Sequence, residues 1–316
     1  MACGDGLAAA VVPAPPTVLF VLLGPTAVGK TEVALRMAER LGCPILNCDS
    51  RQIYRGMETG TAAPTEEQQR RVRHYFVGTH AIGDYYSAAL YEQEALRLIG
   101  SLGCTHRSLV LTGGSMMYLD AVCHGIDDIP SVDPTVRERL RRRLEAGDIG
   151  GMRAELELLD PDYCLTADTR NPKRVVHALE VCYTTGQPYS SFLTRRRKPR
   201  PFRIVKLGLR RERAELFGRI SLRVDRMMAD GLLDEARRLY PLRGENALNT
   251  VGYKELFRYL DGEWTLPQAV EKIKKNTRDY AKKQMTWFSR DPEIRWFHPE
   301  DLGEILTLTD CLARRD

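Results

Sequence analysis

Residues 17–31 read TVLFVLLGPTAVGKT. The first seven form a continuous apolar run with β-branched residues at its start, the pattern of a strand buried on both faces of a parallel sheet. Gly24, Pro25, Thr26, Ala27, Val28, Gly29, Lys30 and Thr31 then match G-x-x-x-x-G-K-[ST] in full. Beyond them Val33, Ala34, Met37, Ala38 and Leu41 recur at helical spacing, and Gly42 ends the helix. Strand, loop and helix in that order predict a phosphate site. The glycines let backbone amides converge on phosphate oxygens, Lys30 reaches the terminal phosphate, the helix N-terminus adds positive potential, and Thr31 can hold Mg²⁺. ATP is the default ligand of such a loop, but a pyrophosphate ester makes the same contacts.

Working outward, PILNCD (44–49), SLVLT (108–112), RIVKLGL (203–209) and IRWF (294–297) read as further strands, with helical patterns between them. That alternation predicts an α/β fold with a mostly parallel sheet of the P-loop NTPase type. Residues 130–198 are arginine-rich, helical in pattern and lack a strong strand signal. Pro130, Pro134, Gly186 and Pro188 punctuate them, and RRRKPRP closes them. We read this stretch as a helical insertion that contacts RNA, set into a core of 17–129 and 199–316 whose helices over 212–290 are basic. Residues 1–16 lack a basic start and read as a disordered lead, not a signal peptide.

The chain has 316 residues, 43% of them hydrophobic, enough for a large core without disulfides. Cys3, Cys43, Cys48, Cys104, Cys123, Cys164, Cys182 and Cys311 form no C-x-x-C pair and no zinc spacing. They fit a reducing compartment and act mostly as small core hydrophobes. No run reaches the 18 apolar residues of a membrane helix, so a cytoplasmic protein is expected. Net charge is +5, and it is clustered: RERLRRR at 137–143, RRRKPRPFR at 195–203, and seven Lys or Arg against two acids over 270–290. Such runs are usually solvated helix faces, yet three of them favour a polyanionic partner.

In CDSRQIYR (48–55), Asp49 ends the second strand beside the phosphate loop. Ligands of open α/β sheets bind outside the carboxyl ends of strands, so Asp49 is placed to coordinate Mg²⁺ or to take a proton from a nucleophile. It is equally placed to cap the next helix, and position alone leaves both open. Gln52 can bond a base edge. Arg223 by itself reads as a surface helix arginine, and Trp287 and Phe288 read as core.

Taken together, GPTAVGKT, DSRQIYRGMETGTAAP (49–64), YSAALYEQEAL (86–96), LVLTGGSMMYLDAVCHG (109–125), NPKRVVHALEV (171–181), FGRISLRVDRMMADGLLDEARRL (217–239), NTVGYKEL (249–256) and TRDYAKKQMTWF (277–288) resemble the tRNA dimethylallyltransferase family, in order and over nearly the whole chain. The resemblance implies that the loop holds the pyrophosphate of dimethylallyl pyrophosphate, with Mg²⁺ as cofactor. It implies that Asp49 is the base facing the N6 amine of the adenine beside the anticodon, in tRNAs reading codons that begin with U. It makes Arg223 the second catalytic residue, steadying the leaving pyrophosphate. Asp49, Ser50, Arg51, Gln52, Ser115, Arg137, Lys173, Arg174, Val175, Val176, His177, Thr250, Val251, Gly252, Tyr253, Arg278, Lys282 and Gln284 match tRNA-contact positions. A monomer is expected. Ser115 stands where the family usually has threonine, Ala63 where it has lysine, and His177 where it has arginine. HYFVGTH (74–80) departs from the family's H-H-L-I-D-like segment, and no C-terminal zinc module is present. Two other readings share the loop: a small-molecule or nucleotide kinase, and a non-catalytic tRNA-binding protein with a nucleotide switch. The polar cluster DSRQIY suits a base edge and speaks against the first.

Overall fold

The computed structural model describes residues 17–194 and 196–314. The lead expected at 1–16, with Cys3, lies outside the described residues. Among the described residues six strands, β1 (Val18–Leu23), β2 (Ile45–Asn47), β3 (His74–Tyr75), β4 (Ser108–Thr112), β5 (Arg203–Leu209) and β6 (Arg295–Phe297), form one sheet in the order β3-β2-β4-β1-β5-β6. Every neighbouring pair is parallel. The fold is therefore the α/β fold expected from the sequence. Only β3 went unread there, because two residues carry no alternation to detect.

The helices are α1 (Lys30–Leu41), α2 (Glu58–Thr61), α3 (Glu66–Arg71), α4 (Ala88–Gly103), α5 (Met116–His124), α6 (Pro134–Glu145), α7 (Ile149–Leu159), α8 (Pro161–Thr166), α9 (Pro172–Thr185), α10 (Arg213–Ala229), α11 (Leu232–Leu239), α12 (Tyr253–Leu260), α13 (Leu266–Phe288) and α14 (Leu302–Arg314). The chain folds into two compact units: one of residues up to Cys123 and from Pro199 on, the other His124–Lys198.

In the first unit β1 is buried along its whole length, and its side chains alternate between two cores, as the pleat requires. Val18, Phe20 and Leu22 pack with Val33, Leu35 and Met37 of α1 and with Ile305 of α14. Leu19, Val21 and Leu23 pack with Tyr91, Ala95 and Ile99 of α4 and with helices of the C-terminal region. Phe288 is buried in that second core, and Trp287, partly buried, packs against it and donates its indole N–H to Asp120 Oδ2 at 3.0 Å. Four of the described cysteines, Cys43, Cys48, Cys123 and Cys182, are buried.

The second unit is helical, and Leu140, Met152, Leu156, Val175, Ala178 and Leu179 form its core. Asp160, almost fully buried, accepts from the amides of Tyr163 (3.0 Å) and Ser190 (2.6 Å) and from the Ser190 hydroxyl (2.7 Å), tying the end of α7 to the turn after α9. Much of the basic run at 137–143 is neutralised within the unit. Arg141 and Arg142 pair with Glu138 at 2.8 Å, and Arg143 pairs with Asp148 and Glu155 at 2.7 Å.

Candidate active site

The site gathers at the carboxyl ends of β1, β2 and β4. The phosphate loop turns out of β1 at Gly24, whose φ of 148° belongs to glycine. A Cβ there would also stand 2.6 Å from the Leu209 carbonyl of β5. The outer face of the loop is fixed by arginines: Arg219 donates to the Ala27 carbonyl and Arg211 to that of Val28, both at 3.0 Å. Its inner face carries Lys30, which donates to the carbonyls of Gly24 (2.9 Å) and Pro25 (2.8 Å).

β2 delivers Asp49 to the same rim. Cys48 extends the β2–β4 pairing by donating to the Thr112 carbonyl at 2.7 Å, and Ser115 donates its amide to the Cys48 carbonyl at 3.2 Å. Asp49 does not cap a helix. Its Oδ1 accepts from the amides of Arg51 (2.9 Å) and Gln52 (3.4 Å), closing a tight turn.

Arg223 comes from α10 and donates to the Thr61 carbonyl at 3.2 Å. It is half-buried rather than standing free on the surface as its sequence position suggests. Loss of water lowers the Lys30 pKa to about 7. The Arg223 charge adds to that lowering and the Asp49 carboxylate opposes it. Burial likewise lowers Arg223, with Asp49 opposing. Two desolvated cations thus face a single carboxylate. That excess of positive charge fits a bound diphosphate, which would offset it. Thr31, exposed at the loop's end, and Asp49 carry the hard oxygen donors that suit Mg²⁺.

The model of the family described as IPP transferase matches residues 52–291. The tRNA dimethylallyltransferase 2 of Porphyromonas gingivalis is 60% identical over 291 residues, covering 92% of this chain and 97% of that protein. The chain belongs to the IPP transferase family. The tRNA dimethylallyltransferase 1 of Bacteroides thetaiotaomicron is 59% identical over 288 residues, covering 91% of this chain and 94% of that one. Among solved structures, the full-length tRNA isopentenylpyrophosphate transferase of Bacillus halodurans has a TM-score of 0.68 at 33% identity, covering 93% of this chain and 96% of its own.

Within this family member the positions matched to tRNA contact fall into distinct environments. Ser50, Arg51, Gln52, Thr250, Val251 and Arg278 are half-buried, and Lys282 is exposed beside Asp279 at 2.9 Å. Arg51 donates to the carbonyls of Asn246 (2.9 Å) and Ala247 (3.2 Å). In the helical unit Lys173, Arg174 and His177 are exposed, Val176 is half-buried, and Arg137 lies 3.4 Å from Glu180.

Three of the matched positions have side chains turned into the protein. Val175 and Tyr253 are fully buried, the first in the helical core and the second donating its hydroxyl to Glu235 at 2.7 Å. Gln284 is 1% exposed and spends both ends of its amide inside the protein. Its Oε1 accepts from the Thr26 amide at 2.9 Å, and its Nε2 donates to the Gly114 carbonyl at 2.8 Å. It is a strut between the phosphate loop and the turn after β4. Ser115 and Gly252 are buried as well.

Tyr280 was missed in the sequence. One helical turn before Gln284, it directs its hydroxyl to the Gly114 carbonyl at 3.3 Å while its ring stays 38% exposed. Desolvation and the nearby Asp49 carboxylate push its phenol above the usual range. The i, i+4 spacing to Gln284 could have flagged it.

Proposed function

We propose that this protein transfers the dimethylallyl group of dimethylallyl pyrophosphate to the N6 amine of the adenine adjacent to the anticodon, in tRNAs reading codons that begin with U. The products are N6-(dimethylallyl)adenosine and pyrophosphate. That the protein is a tRNA-modifying transferase rests on its family. The donor, the base and the working state, a cytoplasmic monomer, are our reading.

The observation that carries it is that Arg223 and the Gln52 side chain share the Thr61 carbonyl, the Gln52 backbone amide bonds Asp49, and the Asp49 charge is felt at both Arg223 and Lys30. An adenine amine is a weak nucleophile, so the reaction depends on making the allylic carbon electrophilic. As the C–O bond to the diphosphate breaks, negative charge builds on the leaving group, and Lys30, Arg223 and the amides of the loop stand ready to receive it. As the C–N bond forms, Asp49 accepts the amine's proton. Thr31 and Asp49 would hold Mg²⁺, which supplies further charge neutralisation to the diphosphate when bound.

The adenine leaves its stack to meet a carbon inside the protein. Surface lysines and arginines bind the RNA backbone, and loop shape and unstacked bases give recognition. Incubation with unmodified tRNA, Mg²⁺ and dimethylallyl pyrophosphate, followed by mass spectrometry of digested nucleosides, tests the reading. A five-carbon gain on adenosine is expected. No gain on any tRNA with an adenine beside the anticodon would contradict it.

A further inference from the structure

We propose that Glu235, which lies outside the loop and the carboxylate turn, is a positioning residue: it sets the carbonyl that aims Arg223 at the departing diphosphate. The inference rests on the reaction proposed above.

Glu235 projects from α11 into the core and is 2% exposed. A carboxylate is rarely buried unless its charge is met. Here three donors meet it: the Thr59 amide at 2.9 Å on Oε2, and the Gly60 amide and the Tyr253 hydroxyl, each at 2.7 Å, on Oε1. The two amides belong to α2, a single turn with no buried residue of its own and no side-chain cap. A helix of four residues has no intrinsic stability, so its place reflects what tethers it. Besides Glu235 the tethers are the fully buried Met57 at its N-cap and Tyr253. A Cβ on Gly60 would stand 2.5 Å from the Tyr253 ring, so the turn sits directly on that ring.

The far end of the same turn faces the site. The Thr61 carbonyl accepts from Arg223 Nη2 at 3.2 Å and from Gln52 Nε2 at 3.1 Å. The Ala62 carbonyl, on a residue with φ 47°, accepts the same Gln52 amide at 3.1 Å. The buried carboxylate therefore supplies the turn's charged anchor, holding two of its amides. That turn orients both the guanidinium behind the leaving group and the segment that follows Asp49. A displacement of α2 would move Arg223 without touching Lys30 or the loop.

A merely structural Glu235 would weaken the protein whatever stands at 223, so a double-mutant cycle separates the two roles. The cycle uses Glu235→Gln and Arg223→Ala, with inorganic pyrophosphate binding as its readout. Glu235→Gln keeps the shape but sets an NH₂ group against the turn's donors. It is expected to weaken pyrophosphate binding by about tenfold when Arg223 is present and by less than about twofold in Arg223→Ala. Equal weakening in both backgrounds, or none in a folded Glu235→Gln protein, overturns the inference. If that variant does not fold, Tyr253→Phe removes one of the three bonds, and the same cycle is read for about a threefold effect that vanishes without Arg223. Transfer by the wild type is measured alongside. Arg223-dependent pyrophosphate binding without dimethylallyl transfer sinks the proposed reaction and leaves the Glu235 coupling standing. Transfer with an additive cycle sinks the coupling alone.

Discussion

The Lys30 ammonium and the Arg223 guanidinium share one desolvated region, and the charge of the second helps hold the first near a pKa of about 7. Without ligand, protonated Lys30 opposes folding. The sign follows from its ordinary value of 10.5: the cost is absent above that pH, grows as pH falls, and is complete below about 7. A bound diphosphate reverses the local charge and raises the value. Pyrophosphate binding at about pH 8 should therefore take up a proton, and affinity should fall by up to about tenfold per unit as pH rises above 7. Calorimetry in buffers of different ionisation enthalpy counts that proton. Lys30→Arg, charged throughout this range, should remove this share of the uptake. Equal uptake by both proteins contradicts the assignment.

Asp49 has two duties that one substitution separates. Asn keeps an oxygen to accept the amides of Arg51 and Gln52 but removes the base. Asp49→Asn should slow single-turnover transfer by about 10²–10⁴ while leaving tRNA affinity unchanged in filter binding. Asp49→Ala should also loosen the turn. An Asn variant with wild-type rate would remove Asp49 from the chemistry.

The strut role of Gln284 predicts a stability effect. Gln284→Leu leaves the Thr26 amide without its partner, at about 1–3 kcal/mol, and leaves the Gly114 carbonyl only the longer bond from Tyr280. Urea unfolding should show a loss of that order. The salt dependence of tRNA binding should not change, because the side chain is buried and carries no charge.

Lys173 and Arg174 are exposed at the start of α9, where a phosphate contact costs no rearrangement. Replacing either by Ala should weaken tRNA binding and reduce the slope of log affinity against log salt by about 1. An unchanged slope would assign both residues to solvent.

What the sequence made legible was local. The run 17–23, the loop and α1 are contiguous, so periodicity and spacing alone placed the strand, loop and helix. Asp49 was legible because it ends a strand beside that loop. Arg223 was not, since only the packing of α10 turns it inward. Nor could composition show which faces of α12 and α13 are buried, so nothing in it set the buried Tyr253 and Gln284 apart from the partly exposed Tyr280. Glu235 was invisible for the same reason: its partners lie on other helices, α2 and α12.

The central claim is that the phosphate loop cups a diphosphate that leaves as carbon joins nitrogen. Dimethylallyl pyrophosphate labelled in its phosphorus, incubated with the protein, Mg²⁺ and unmodified tRNA, tests it most directly. One inorganic pyrophosphate per modified adenosine is predicted, with no consumption of added ATP. Label appearing as orthophosphate, or modification that requires ATP to surrender its terminal phosphate, would contradict it.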